Sequence, residues 1–191
     1  MLVGHRVILR PFRRSDLEGL YDLAADVREI GEFWPVGCAS EAQWLKRFDE
    51  TSWWTNEFKL FLLTDRDGRR LGQVNVYKPS HSYQGWELGY RIYRPADRGK
   101  GYMTEAVRLA TAFLFAKEPI ERVQILLDPR NVGSRRVAER AGYTLEGTLR
   151  HALFDRGEHH DLLLFSILRD EAPPLASLLA PLDDAGEDPS C

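Results

Sequence analysis

The sequence predicts a mixed α/β domain of the α+β kind, with a mostly antiparallel central sheet flanked by about four helices. Two observations lead there. Residues 59–93 hold strand-like runs joined by short turns, and residues 86–142 then alternate strand, helix, strand, helix. That alternation requires a parallel pairing inside an otherwise antiparallel sheet.

In chain order, Arg6 to Arg10 reads as a first strand. Ser15, with Glu18 three residues on, forms a capping-box signal for a helix through about Asp26. A loop carrying Glu32-Phe33-Trp34-Pro35 follows, and Ser40 caps a second helix with Trp44, Leu45 and Phe48 on one face. Lys59 to Thr64 and Leu71 to Tyr77 flank the turn Asp65-Arg66-Asp67-Gly68, whose Asp-Gly pair suits a hairpin, and Gly85 to Tyr93 extends this meander. Pro95 stops the strand. Beyond Arg98-Gly99-Lys100-Gly101, the residues Met103, Ala106, Val107, Ala110, Phe113 and Leu114 trace an apolar helical face. Val123 to Leu127 is a short strand, and Asn131 opens a helix that Gly142 closes in the left-handed conformation. Thr144 to Phe154 and His160 to Arg169, joined by Asp155-Arg156-Gly157-Glu158, are the last two strands.

A chain of 191 residues, 43% of them hydrophobic, suits one domain with a sizeable core, placed at residues 1–171. Residues 172–191 carry Pro173, Pro174, Pro181, Pro189 and several acids, the composition of a mobile tail in which Leu175, Leu178 and Leu179 can form a short docking helix. The formal charge of −3, from 26 basic and 29 acidic residues interspersed, offers no broad positive face for nucleic acid. No apolar run approaches the roughly 20 residues that cross a bilayer, and the N-terminus lacks a signal-peptide core, so a cytoplasmic location without membrane partners is expected. Cys38 and Cys191 are too few for a disulfide framework. His159 and His160 point to opposite faces of a strand and no ligand cluster has useful spacing, so no metal is expected.

The segment richest in chemistry is Arg98-Gly99-Lys100-Gly101-Tyr102-Met103-Thr104. Glycines at a strand-to-helix turn let backbone N–H groups approach a phosphate, and the helix dipole favours the negative charge. An ordinary tight turn is the competing reading for two glycines alone. A P-loop is excluded because no Gly-Lys-Ser/Thr is present, and a Rossmann fingerprint fails because Thr104 stands where its third glycine belongs.

Arg98 to Met103 resembles the Arg/Gln-x-x-Gly-x-Gly/Ala motif that binds the coenzyme A pyrophosphate in GNAT acyltransferases. Asn131, then Ser134, then Gly142-Tyr143 resemble the second motif of that superfamily, in the right order and with the right elements between. The strand Arg6-Val7-Ile8-Leu9-Arg10-Pro11 and Gly157-x-x-x-Asp161 extend the likeness over residues 1–170, and the combination is most similar to the branch of ribosomal-protein N-terminal (RimJ/RimL-like) acetyltransferases. The resemblance implies the GNAT fold, with a sheet splayed at the cofactor site, and acetyl-CoA as acyl donor. It also implies direct transfer to a primary amine, either a protein N-terminal α-amine or a small-molecule amine, and often a homodimer.

Residue by residue, the resemblance assigns cofactor contacts to Arg98, Gly99, Lys100, Gly101, Tyr102, Met103 and Thr104. The Ile92 and Tyr93 backbone would bond the pantetheine arm, and Asn131 would contact its amides unless it only caps its helix. Met103 departs from the Gly or Ala of the motif but keeps its N–H. The Tyr that many members place seven residues after the Asn is Ala138 here, which leaves Ser134 as the hydroxyl near the leaving sulfur, or as a surface serine. An ammonium must lose a proton before it attacks a thioester, and Glu87 is the candidate base, with structural pairing to a basic residue as its alternative. Glu32, Trp34, Trp53, Trp54, Tyr83, His151 and Asp161 lie on segments that flank the acceptor site in the family. Acids plus aromatics suit a cationic amine. A coenzyme A-binding regulatory module, motivated by Ala138, and an acyltransferase with a different acyl donor are the main alternatives, and a nucleotide-binding protein rests on the glycine turn alone.

Overall fold

A computed structural model of the chain describes residues 1–25, 31–35, 37, 40–79 and 85–181. Within these residues the strands are β1 (Leu2–Val3), β2 (Val7–Pro11), β3 (Phe58–Asp65), β4 (Arg70–Tyr77), β5 (Trp86–Ile92), β6 (Arg122–Leu127), β7 (Thr144–Asp155) and β8 (Glu158–Leu168). The helices are α1 (Leu20–Ala25), α2 (Glu41–Thr51), α3 (Tyr102–Lys117) and α4 (Val132–Ala141). The sheet order is β1-β2-β3-β4-β5-β6-β8-β7. Every neighbouring pair is antiparallel except β5–β6. Four helices and a mostly antiparallel sheet match the expected class. The position of β8 between β6 and β7 is a long-range result that strand patterning does not specify.

Alternation along β3 divides the core into two layers. Phe61 and Leu63 face the cluster built on α3, with Val74, Leu88, Val107, Leu109, Leu114 and Ile125, while Leu60 and Leu62 face Phe12, Leu20, Phe48 and Trp53. Each such buried side chain contributes about 1.5–3 kcal/mol relative to exposure. Helix α3 is buried almost all round rather than on one stripe, because α4 and the turn Leu175–Ser177 pack against it in addition to the sheet. That turn is the expected docking segment: Leu175, Leu178 and Leu179 pack on the core, and the Ala180 N–H donates to the Val3 carbonyl at 2.8 Å. Trp53 sits in edge contact with Phe12, Trp44 and Phe48, so it seals the α2 layer.

The start of the first helix differs from expectation. A 3-10 turn occupies Arg14–Asp16 and α1 begins only at Leu20. The Ser15–Glu18 box is displaced because Asp16 takes over the capping role. Its carboxylate accepts from the Arg13 N–H at 2.7 Å and from both terminal nitrogens of Arg10 at 2.6 and 2.7 Å. A bidentate guanidinium pair outcompetes a neutral hydroxyl for the same turn.

Candidate active site

The sheet opens where the parallel pair meets. β5 and β6 pair only through Trp86 with Val123 and Glu87 with Gln124, and beyond Glu87 the two strands part. The closed end of this notch is clamped. The Trp86 indole N–H donates to Glu118 at 2.7 Å, and the buried Lys59 ammonium lies 3.8 Å from the Trp86 ring centroid and 3.5 Å from the Glu118 carboxylate. On its other side β5 keeps unbroken register with β4, from Gly72–Ile92 to Tyr77–Glu87, so the opening comes from strand divergence and not from a bulge in that pair. The Tyr93 N–H is spent on the Leu71 carbonyl at 2.9 Å. By antiparallel alternation, residues 87, 89 and 91 also bond β4, and the backbone groups of Leu88, Tyr90 and Ile92 face the notch. Of the predicted backbone contacts, Ile92 therefore keeps its free edge and Tyr93 does not.

The glycine turn has the geometry of an anion cradle. Gly99 and Gly101 hold φ of +74° and +82°, which side-chain-bearing residues adopt only at a cost, and Gly101 is the N-cap of α3. Space beside Gly99 is open, and Arg94, Arg98 and Lys100 are exposed around it. Met103 is buried in the core, so its side chain points away from the turn while its N–H stays at the helix start. Tyr102 packs partly under the guanidinium of Arg6, 5.1 Å above its ring, and Thr104 continues the first turn of α3. Arg6 also donates to the Lys100 carbonyl at 2.6 Å and so ties the N-terminal strand to this turn. The α3 dipole, the left-handed glycines and the surrounding cations fit a pyrophosphate, and the free edge of β5 fits a pantetheine arm.

Below the notch lies a cavity of about 680 Å³ whose walls include Glu32, Trp34, Asn75, Tyr77, Glu87, Tyr90, Asp128, Arg130, Asn131, Ser134, Arg156, Glu158 and His160. Its described lining carries five carboxylates (Glu32, Glu87, Asp128, Asp155, Glu158) against two guanidinium groups, Arg130 and Arg156. The Arg130 guanidinium beside Asp128, bonded at 2.7 Å, holds that carboxyl below its ordinary range. Glu87 is 5% exposed, and its two oxygens accept from the Tyr77 hydroxyl at 2.6 Å and the Gln124 amide at 2.8 Å. Its hydrogen-bond donors Tyr77 and Gln124 are thus neutral groups rather than a basic residue. Burial, followed by the charge of Glu87, raises the Tyr77 phenol far above its usual value, so it stays a donor.

Asn131 caps α4 by accepting from the Ser134 N–H at 3.0 Å. The Ser134 hydroxyl is not a surface group: it donates to the Tyr90 oxygen at 3.0 Å, and the Tyr90 hydroxyl donates to the Ser134 carbonyl at 3.2 Å. Burial pushes the Tyr90 phenol up to about 12 despite the opposing hydrogen bond from Ser134. Ala138 is fully buried, so no polar group occupies the place of the usual tyrosine.

The structure brings Glu87, Ser134, Asn131, Glu32 and Trp34 to one cavity. Tyr83 lies outside the described residues. His151 and Asp161 are absent from the described lining; the His151 N–H donates to the Asp161 carboxylate at 2.8 Å, and the exposed His151 ring stacks on His159. Their bond supports the left-handed kink at His151, φ +52°, within the irregular β7–β8 ladder. Tyr77, Gln124, Tyr90, Asp128 and His160 are site residues that sequence reasoning missed. For Tyr77 the available signal was strand parity opposite Glu87; for the others, none was local.

Residues 6–144 match the acetyltransferase (GNAT) domain family, and the chain belongs to it. It is an acetyl-CoA-dependent N-acetyltransferase. Among its relatives is the probable N-acetyltransferase YjcK of Bacillus subtilis (strain 168), 28% identical over 179 residues, or 90% of this chain and 98% of that one. Solved structures share the fold. Spermidine N-acetyltransferase from Vibrio cholerae in complex with CoA and spermine has a TM-score of 0.73 at 19% identity, over 86% of this chain and 96% of that one. Mycobacterium smegmatis RimJ in complex with CoA-disulfide has a TM-score of 0.76 at 23% identity, over 87% and 84%.

Proposed function

We propose that this enzyme acetylates a primary amine, a protein N-terminal α-amine or a small-molecule amine, by direct transfer in a ternary complex, as a member of the RimJ/RimL-like branch acting in the cytoplasm. The observation that carries this reading is the placement of Glu87. It is a buried carboxylate fixed by two neutral donors at the point where β5 and β6 part, on the wall of an acid-rich cavity. In this reading residues 1–171 form the catalytic domain. The long outer strand β7, with Leu145, Leu149 and Phe154 exposed, supports a homodimer.

Arg98 to Thr104 and the α3 N-terminus hold the pyrophosphate, while Ile92 and Asn131 steady the pantetheine arm. Bound acetyl-CoA supplies the activated thioester. Glu32, Asp128, Asp155 and Glu158 attract a protonated amine, and Trp34 supplies an aromatic wall. Glu87, directly or through one water, accepts the ammonium proton so that a neutral amine attacks. In the transfer step the Ser134 hydroxyl turns its one proton from the Tyr90 oxygen to the departing sulfur, while Tyr90 keeps its own bond to the Ser134 carbonyl. Burial holds the Tyr90 phenol above its ordinary value and makes it a weaker acid, so this hydroxyl pair stabilises charge by hydrogen bonding and need not surrender a proton.

The test is thiol release from acetyl-CoA by the purified chain with peptides bearing free Ser or Ala N-termini, polyamines and aminoglycosides. Amine-dependent release establishes the acceptor class. Tight coenzyme A binding with no release for any acceptor contradicts the reading.

A further inference from the structure

A second, smaller cavity of about 220 Å³ adjoins the first, and the two share Trp34 and Pro35 in their walls. Both lie along one face of the β4–β5 pair. Asn75, Tyr77, Glu87 and Gly89 line the first, and Gln73 and Arg91, next in alternation, line the second. Gly89 presents no side chain between Glu87 and Arg91, and the Tyr77 ring lies 3.6 Å from where its Cβ would stand. Four strand residues separate the ends, about 13 Å.

The chambers differ in charge. The first has its five carboxylates, whereas the described lining of the second has none and carries Arg47 and Arg91 among Trp34, Trp44, Trp53 and Phe58. The Arg91 guanidinium lies 5.5 Å over the Trp34 ring and 5.2 Å over Tyr93, and Arg47 lies 5.5 Å over Phe58. Gln73 links the chambers by accepting from the Tyr93 hydroxyl at 3.1 Å and donating to Asn75 at 2.9 Å.

Resting on the acetyltransfer reading above, the geometry points to an acceptor with opposite charges at its ends: an amine beside Glu87 and, about 13 Å away, a carboxylate that enters the arginine-aromatic chamber. An extended peptide N-terminus with an acidic fourth residue has this form. A linear polyamine does not, because its far cation meets Arg91 and Arg47. Arg91 is then a specificity-determining residue.

The test compares kcat/KM for three peptide amides, Ser-Ala-Ala-Glu, Ser-Ala-Ala-Gln and Ser-Ala-Ala-Lys, and for spermidine. The Glu peptide is expected to exceed the Lys peptide by about tenfold, the scale of one charge-assisted contact, mainly through KM. Arg91→Gln should bring that ratio close to one, while Arg91→Lys retains most of it. Should Arg91→Gln fail to fold, Arg47→Gln on the exposed wall should still lower the ratio by about threefold. Equal use of the three tails, a Glu preference untouched in both glutamine variants, or spermidine outrunning every peptide overturns the proposal. Absence of thiol release with all four acceptors would instead strike the acetyltransfer reading.

Discussion

The Tyr77 hydroxyl donates a 2.6 Å hydrogen bond to the Glu87 carboxylate across the β4–β5 pair, and these two residues are directly opposite in register. The bond fixes one oxygen of the candidate base, as the Gln124 amide fixes the other. Tyr77→Phe should lower kcat by about tenfold while changing the KM for acetyl-CoA little, since the phenol positions the base and the cofactor turn lies elsewhere. Steady-state kinetics with each substrate varied checks this split.

The hydroxyl pair of Ser134 and Tyr90 should behave as one unit. Each single change, Ser134→Ala or Tyr90→Phe, is expected to lower kcat by several-fold to about tenfold. The double variant should be little worse than the poorer single one, because the Ser134 hydroxyl bonds to Tyr90 and both line the same cavity. A double-mutant cycle on kcat measures the coupling.

Gly101 at φ +82° would carry a Cβ only 3.1 Å from an Arg6 nitrogen. A non-glycine residue there costs about 1–2 kcal/mol and crowds the Arg6 brace. Gly101→Ala should therefore weaken coenzyme A binding by about five- to thirtyfold, read by calorimetry, with the melting temperature falling only modestly.

Asp16 supplies a pH dependence. Burial alone would raise its pKa, but the hydrogen bonds from Arg10 and the Arg13 N–H, together with their charges, outweigh burial and hold it below the ordinary 3.8. A carboxyl depressed in the folded state stabilises that state fully above 3.8, and the contribution is lost as pH falls through the depressed value. Asp16→Asn should cost about 2 kcal/mol at pH 7, and the gap to the parent chain should close as the pH drops below the ordinary carboxylate range. Thermal unfolding of both chains from acid to neutral pH checks it.

Local chemistry made much of the frame legible. The Asp67-Gly68 hairpin, the Gly101 entry to α3 and the Asn131 and Gly142 ends of α4 all depend on residues within one turn of the feature they specify. What depended on distant partners was not. Arg10, six residues away, overrode the Ser15–Glu18 signal. Glu87 stood out as an acid beside the cofactor turn, but its supports lie 10 and 37 residues off in sequence, on strands whose order is a tertiary result. Tyr90 carried no local signal of a role, because its hydroxyl partner is 44 residues later. His151 and Asp161 were legible as polar residues near the last hairpin, yet their bond to each other turns on irregular register that no pattern shows.

The most direct measurement is acetyl-CoA turnover by Glu87→Gln with the best acceptor found, alongside coenzyme A affinity by calorimetry. A fall in kcat of about a hundredfold or more, with the coenzyme A Kd within about twofold, is the expected result, because the variant keeps the shape of the side chain and loses only its basicity. Turnover close to that of the parent chain would contradict the assignment of Glu87 as the base.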